Sequence, residues 1–231
     1  YELVRLTVCN ARRDLWFCSG ILYWMLNDCW PAAMGWSICD YYAQEKAGLF
    51  ALRQYAQPVS VSIEPENGGL RICIGNILPD AAVCSLNVWR VDLRSGTAER
   101  VLQQADISCA QSTELFVEDA HSEHALFAAE LQVDAEKSYS VRNWYRTGCP
   151  YLQRADSALR WSIERAPDKT CGTVVLYAAQ YLHVVELEGF SGLSDNYFSM
   201  LPGEEKRVLF QNTDKMQSVE AYSLIPDRDE L

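Results

Sequence analysis

Four side chains between positions 24 and 30 combine aromatic faces with hydrogen-bonding groups. They are Trp24, Asn27, Asp28 and Trp30, within the run GILYWMLNDCWP that begins at Gly20. An indole presents a flat apolar face that can stack on the C–H face of a sugar ring, while amide and carboxylate groups can hydrogen-bond sugar hydroxyls. The combination suits a carbohydrate ligand. The structural alternative is that the indoles pack in a core and Asn27-Asp28 forms a turn or helix cap.

The elements around these residues would decide what they face. Ile21 to Leu26 are six consecutive apolar residues, a run typical of a strand buried on both faces of a parallel sheet. Ligand sites form at the carboxyl ends of such strands, so this strand would present Trp24, Asn27, Asp28 and Trp30 to a ligand. Helical patterns over residues 2–14 and 40–56 flank it, with Asp40 as the expected N-cap of the second helix.

The pattern changes at Pro58, where apolar and polar residues begin to alternate with a period of two. Short strands separated by turn signals predict one antiparallel sandwich up to residue 147 and a second, smaller one after it. We therefore expect three parts, at residues 1–57, 58–147 and 148–231. Strands are expected at 59–63, 70–74, 83–91, 99–104, 125–133, 138–145, 157–165, 172–178, 181–187, 195–199, 205–211 and 217–224. Trp89, Trp144 and Trp161 lie in strand-like runs and are expected in the cores.

Composition excludes several classes of function. The 231 residues carry a net charge of −11 without a basic stripe, which argues against a nucleic-acid partner. No apolar run is long enough for a membrane-spanning helix. The nine cysteines include no C-x-x-C pair and only three histidines occur, His121, His124 and His183, so neither a metal site nor a cofactor is expected.

The cysteines also bear on compartment. An odd number of thiols in apolar runs is typical of a reducing compartment and favours the cytoplasm. Because the chain starts at Tyr1 rather than Met, a secretory or lysosomal route stays open. The terminal Arg228 to Leu231 resembles an endoplasmic-reticulum retention signal, with a chance acidic tail as the alternative.

Two stretches resemble a known family. Ser19 to Pro31 is similar to the last barrel strand of β-mannosidases in glycoside hydrolase family 2, whose form is roughly S-G-x-L-x-W-Q-L-N-D-x-W-P. The similarity continues through Trp36 to Tyr42, then Lys46 and Pro58-Val59, and recurs at Gly192 to Glu204, which resembles the S-D-N-(aromatic)-F…L-P-G-E of the terminal sandwich. Met25 departs from the family by replacing glutamine, which removes a hydrogen-bonding side chain.

The resemblance implies a mostly β chain, with two immunoglobulin-like sandwiches preceded by the last α/β elements of a (β/α)8 barrel. Family members cleave non-reducing terminal β-D-mannose with retention, using two glutamates that would precede Tyr1. No catalytic residue is therefore expected here. The implied partners are a β-mannoside or related oligosaccharide and the remainder of the barrel, upstream or in a separate polypeptide.

The resemblance also implies roles for single residues. Trp24 would be the platform under the mannose, and Trp30 would line the pocket or act as a structural wedge. Asn27 and Asp28 would either bond sugar hydroxyls or hold the strand–loop junction. Asp195-Asn196 is expected to form a capped turn. Tyr41 and Tyr42 are expected to pack.

Other functions stay open from the sequence. One is a different family 2 exo-glycosidase, such as an exo-β-glucosaminidase or a β-galactosidase-like enzyme. Another is a non-catalytic carbohydrate-binding or structural module, which grouped exposed aromatics on one sandwich face would favour. A third is an interaction protein whose strand at Gly20–Leu26 completes a barrel in a separate polypeptide.

Overall fold

The computed structural model describes residues 1–13, 17–32, 34–118, 124–134, 139–146, 150–166 and 171–226. The described residues fold into two compact units. The first takes its residues from 1–90, 100–122 and 126–146, and the second from 91–99, 123–125 and 147–231. The expected retention signal at 228–231, together with His121, lies outside the described residues.

Two helices belong to the first unit. α1 spans Glu2–Arg13, as predicted, with Glu2 in its first turn and arginines in its last, which is the arrangement the helix dipole favours. α2 spans Ala47–Tyr55 and buries Phe50, Ala51 and Tyr55. It begins well after Asp40, the predicted start.

The rest of the first unit is a β-sandwich. Its strands are β1 (Val59–Glu66), β2 (Gly69–Asn76), β3 (Ala82–Asp92), β4 (Ala98–Cys109), β5 (Ser112–Val117), β6 (Ala125–Asp134) and β7 (Tyr139–Arg146). They form one sheet in the order β1-β2-β5 and another in the order β4-β3-β6-β7. Ile72, Leu86 and Phe127 are among the side chains fully buried in it.

The second unit is also built from two sheets. Its elements are β8 (Tyr151–Arg154), a 3-10 turn at Asp156–Ala158, β9 (Leu159–Arg165), β10 (Gly172–Ala178), β11 (Leu182–Ser191), β12 (Phe198–Met200), β13 (Glu205–Phe210) and β14 (Asn212–Ile225). The sheets have the orders β13-β10-β9 and β12-β11-β14-β8. Leu176, Leu182 and Met200 are fully buried. The predicted mostly β, sandwich-type fold is confirmed.

Arg5 anchors α1 to the sandwich of the first unit. Only 6% of the residue is exposed, its Nη1 donates to Asn143 Oδ1 at 2.6 Å, and its guanidinium lies 4.0 Å from the ring centroid of Trp144. Its Nη2 also pairs with Glu2 at 3.0 Å. Burial alone would lower the pKa of Arg5, but attraction to Glu2 outweighs it and raises the pKa. The helix is therefore tied to β7 by a charged, planar group.

Two predictions about individual elements were wrong, and two strands were missed. Gly20 to Leu26 form no strand, because no neighbouring strand in the described chain supplies the hydrogen bonds that a lone strand needs. Trp161 is 41% exposed, since it lies on the edge strand β9, whereas Trp144 is buried as expected. The short strands β5 and β8 were not foreseen.

The described residues add three findings on composition. Their eight cysteines all have free thiols. They contain no cluster of three or more metal-ligating side chains. Neither described helix has the length and hydropathy to cross a bilayer.

Candidate functional site

Residues 17–46, here called the aromatic segment, carry most of the exposed aromatic surface. Among the described residues, seven of the ten exposed aromatic side chains lie in this segment. They are Phe17, Tyr23, Trp24, Trp30, Trp36, Tyr41 and Tyr42. Trp24 is 77% exposed and Trp30 is 67% exposed, so neither indole is part of a core. So many exposed aromatic side chains within one segment point to a binding site or an interface.

Backbone hydrogen bonds give the aromatic segment a defined shape without a strand. The amide of Ile38 donates to the carbonyl of Met25 at 3.2 Å, and the amide of Cys39 donates to the carbonyl of Leu26 at 2.9 Å. The hydroxyl of Tyr23 donates to the carbonyl of Trp36 at 2.7 Å. The stretches on either side of the Trp30 loop are thus held side by side.

A buried polar network lies in the same segment as the exposed aromatics. It consists of Asp28, Ser37 and Lys46, and the side chain of Asp28 is only 3% exposed. Lys46 Nζ donates to Asp28 Oδ2 at 2.6 Å and to Ser37 Oγ at 2.8 Å. Ser37 Oγ lies 2.5 Å from Asp28 Oδ1. These contacts favour the junction role over sugar binding for Asp28, because both of its carboxylate oxygens are already bonded within the chain.

Asn27 differs from its neighbour because its side chain is exposed. Its Nδ2 donates to the carbonyl of Asp28 at 3.1 Å, which orients the amide. The site residues inferred from the sequence therefore divide into two sets. Trp24, Asn27 and Trp30 face outward, and Asp28 is enclosed.

Asp40 caps a turn rather than a helix. Its Oδ1 accepts hydrogen bonds from the amides of Tyr42 and Gln44, at 2.8 and 2.7 Å. Tyr41 and Tyr42 stand in this turn as an edge-to-face pair, 5.3 Å apart, and both are exposed. The prediction that these tyrosines pack inside a helix was wrong, because the Asp40 turn delays the helix until Ala47.

Acid is expected to loosen the aromatic segment. The hydrogen bonds from Lys46 and Ser37 hold the pKa of Asp28 below its usual range. A carboxylate with a lowered folded pKa contributes its stability fully above the ordinary pKa of about 3.9 and loses it as the pH falls through the folded value. Hydrogen exchange at Ile38 and Cys39, corrected for intrinsic rates, should be constant from neutral pH to about 4 and accelerate below that. The amides of β2 serve as reference, and equal acceleration there would contradict the expectation.

The second sequence motif lies in the second unit and forms the capped turn that was predicted. Asn196 is buried, its Oδ1 accepts from the amide of Leu187 at 2.8 Å, and its Nδ2 donates to the carbonyl of Leu187 at 3.1 Å. Tyr197 follows with a positive φ of 58°, and Phe198 is 3% exposed. The motif fastens β11 to the turn before β12.

Comparison with known proteins finds sequence similarity to β-mannosidases. No protein-family model matches it. The chain is 24% identical to β-mannosidase B of Neosartorya fischeri over 216 residues, covering 83% of this chain and 25% of that protein. It is 31% identical to β-mannosidase B of Thermothelomyces thermophilus over 103 residues, covering 42% of this chain and 12% of that protein. The chain thus spans about a quarter of the length of the first of these relatives.

Solved structures share the fold. The β-D-mannosidase from Dictyoglomus thermophilum superposes with a TM-score of 0.74 at 20% identity, over 97% of this chain and 29% of that one. The exo-chitosanase of Amycolatopsis orientalis superposes with a TM-score of 0.66 at 14% identity, over 97% of this chain and 33% of that one. Together with the sequence relatives, these matches support the resemblance that the two motifs carry: the chain is similar, at low sequence identity, to β-mannosidases of the glycoside hydrolase family 2 type.

Proposed function

We propose that the chain is the carboxyl-terminal portion of a retaining glycosidase that removes non-reducing terminal β-D-mannose residues. In this proposal the aromatic segment supplies one wall of the sugar pocket, and the remainder of the catalytic barrel is a separate part of the protein or a separate polypeptide. The observation that carries the proposal is the outward exposure of Trp24, Asn27 and Trp30 on a chain whose relatives are named β-mannosidases.

The exposed groups fit the chemistry of a sugar wall. Trp24 offers an indole face for the apolar side of a pyranose ring. The amide of Asn27 is oriented by its hydrogen bond to the Asp28 carbonyl, and its Oδ1 makes no hydrogen bond to any described residue. An oriented amide beside an indole can hydrogen-bond one sugar hydroxyl while the sugar ring stacks on the indole.

The acids that break the glycosidic bond would come from outside this chain. Retaining hydrolysis needs two carboxyl groups about 5–5.5 Å apart, one as nucleophile and one as acid and base. Asp28 is committed to Lys46 and Ser37, and Asp40 holds the backbone of its own turn. Neither is available as a nucleophile, so we assign no catalytic residue to this chain.

Hydrolysis of aryl glycosides tests the proposal. The chain alone should not cleave 4-nitrophenyl β-D-mannoside, whereas a longer polypeptide that includes its upstream coding sequence should. In that polypeptide Trp24→Ala should lower kcat/KM by roughly 100-fold, the scale expected when a bound substrate is misplaced. Trp161→Ala, another partly exposed indole, is the matched control and should leave kcat/KM unchanged.

The same assay separates the other functions. Preferential cleavage of a β-D-glucosaminide or a β-D-galactoside would show that the protein is a different exo-glycosidase rather than a mannosidase. Cleavage of the mannoside by the chain alone would show that catalysis was assigned to the wrong part. A sugar-binding sandwich receives less support, because the exposed aromatic residues in the described part of the second unit are Tyr151 and Trp161, which lie in different sheets.

A further inference from the structure

The buried polar network of Asp28, Ser37 and Lys46 links the stretches that carry the exposed indoles to the N-cap position of α2. We propose that these three are positioning residues, which fasten the aromatic segment to α2 and thereby hold Trp24 and Trp30 in the arrangement that contacts substrate. The identity of that substrate rests on the proposed function, whereas the fastening rests on the contacts alone.

The fixed end of this fastening is α2. Phe50, Ala51 and Tyr55 are each at most 2% exposed, so the helix is held firmly in the first unit. Lys46 occupies the N-cap position of α2 but makes no side-chain capping bond there. Its side chain instead reaches back to Asp28. The amide of Lys46 also donates to the carbonyl of Ile38 at 3.0 Å.

The hydroxyl of Ser37 joins the two charges. It accepts from Lys46 and has a single proton to donate, with both Asp28 Oδ1 and the carbonyl of Cys39 in reach, at 2.5 and 2.7 Å. A hydrogen bond to a carboxylate is stronger than one to a neutral carbonyl, so we assign the hydroxyl of Ser37 as a donor to Asp28 Oδ1. Every member of the network then has a partner, which is what makes a buried charge tolerable.

The network is bonded to the backbone that determines where the indoles lie. Asp28 is two residues before Trp30, and Ser37 directly follows Trp36. The amide of Asp28 donates to the carbonyl of Cys39 at 3.2 Å, so the two stretches move together. Trp24 belongs to the same stretch as Asp28. A displacement of Asp28 would therefore shift the backbone that carries both Trp24 and Trp30.

Gly35 provides an independent view of how closely the carboxylate is enclosed. A methyl group at this position would lie 2.5 Å from Asp28 Oδ1 and 3.3 Å from its Cγ. Since Asp28 is also held by Lys46 and Ser37, it cannot retreat without breaking a bond. Gly35→Ala should therefore disturb the network without removing any polar group from it.

Hydrogen exchange on the 231-residue chain and kinetics of the longer polypeptide test the inference together. Lys46→Met, Asp28→Asn and Gly35→Ala should each accelerate exchange at Ile38 and Cys39 by about tenfold, with the amides of β2 unchanged. Lys46→Arg should restore most of the protection. In the longer polypeptide, the same three variants should each lower kcat/KM for 4-nitrophenyl β-D-mannoside by about tenfold or more, because the indoles are misplaced. Lys46→Arg should restore most of that activity.

Lys206→Met is the matched control. Lys206 is 28% exposed, as is Lys46, and it pairs with Asp195 at 2.8 Å, but that carboxylate is 22% exposed rather than 3%. This variant should leave both exchange in the aromatic segment and kcat/KM unchanged.

Three results would decide against the inference or its basis. Unchanged exchange in Lys46→Met and Asp28→Asn would overturn the fastening. Faster exchange with an unaltered kcat/KM would show that the network is structural and does not position the indoles. If the unaltered longer polypeptide cleaves no aryl glycoside, the proposed function is wrong, and so is the claim that the network positions the indoles for substrate. The exchange data would then still decide whether the network fastens the aromatic segment to α2.

Discussion

Replacing Arg5 by alanine should lower the free energy of unfolding of the first unit by about 3 kcal/mol, which is the loss typical of removing one partner of a buried charged contact. The guanidinium is buried, donates to Asn143 and stacks on the ring of Trp144 at 4.0 Å. Alanine would leave a cavity on this indole and remove the contact that joins α1 to β7. Glu2 is half exposed and can be rehydrated, so it adds little to the loss.

Amide exchange in β1 and β7 under increasing urea would measure the effect for the first unit by itself. Arg53→Ala is the matched control in the same unit. Arg53 pairs with Glu45 at 2.6 Å on the surface and lies 5.4 Å from the ring of Phe50, so its removal should cost at most about 0.5 kcal/mol. Arg5→Lys should fall between the two, because it keeps the charge but loses the planar stacking. Equal stability of Arg5→Ala and Arg53→Ala would show that Arg5 is not an anchor.

Replacing Asn196 by alanine should destabilise the second unit by a similar amount, about 2–4 kcal/mol. Its amide satisfies both the N–H and the C=O of Leu187, a residue that is 3% exposed. Alanine would leave two backbone groups without a partner in a place that water reaches poorly. It would also free the positive-φ turn at Tyr197, whose amide bonds to Asn196 Oδ1 at 2.9 Å.

Exchange at the amides of β11 and β10 would report this loss. Asn212→Ala is the matched control, since Asn212 is exposed and makes one local bond, to the amide of Thr213 at 2.9 Å. A change of no more than about 0.5 kcal/mol is expected there. Asn196→Asp, which keeps the acceptor but loses the donor, should also be destabilising. Stability of Asn196→Ala equal to that of Asn212→Ala would contradict the role given to the motif.

The sandwiches could be predicted because alternation is a local signal. In β3, for example, Cys84, Leu86 and Val88 are buried, whereas Ser85 and Asn87 between them are only partly buried, which matches the period of two in the sequence. The strand expected at Gly20–Leu26 failed for the opposite reason. Six apolar residues indicate burial, but burial needs neighbours, and in the described chain those residues are mostly exposed. An apolar run indicates that its residues need to be buried, but it does not show which neighbouring elements bury them.

The candidate site could be predicted in part. The aromatic residues and Asn27 were recognisable from type and spacing, and their exposure agrees with an outward-facing role. The partners of Asp28 were missed. One signal was present: Lys46 is the single basic residue between Arg13 and Arg53. A carboxylate in so apolar a stretch requires a cation nearby, and the sequence offers no other within that interval.

The crowding of indoles in the aromatic segment gives the chain an intrinsic optical reporter. Trp24, Trp30 and Trp36 are three of its seven tryptophans, and each is more than 60% exposed. Their emission is accessible to a soluble quencher, whereas that of the buried Trp144 is shielded. Trp161, which is 41% exposed in the second unit, also contributes to the quenchable fraction. With Trp161 replaced by phenylalanine, a loss of quenching would report anything that covers the three indoles of the aromatic segment, without an attached dye.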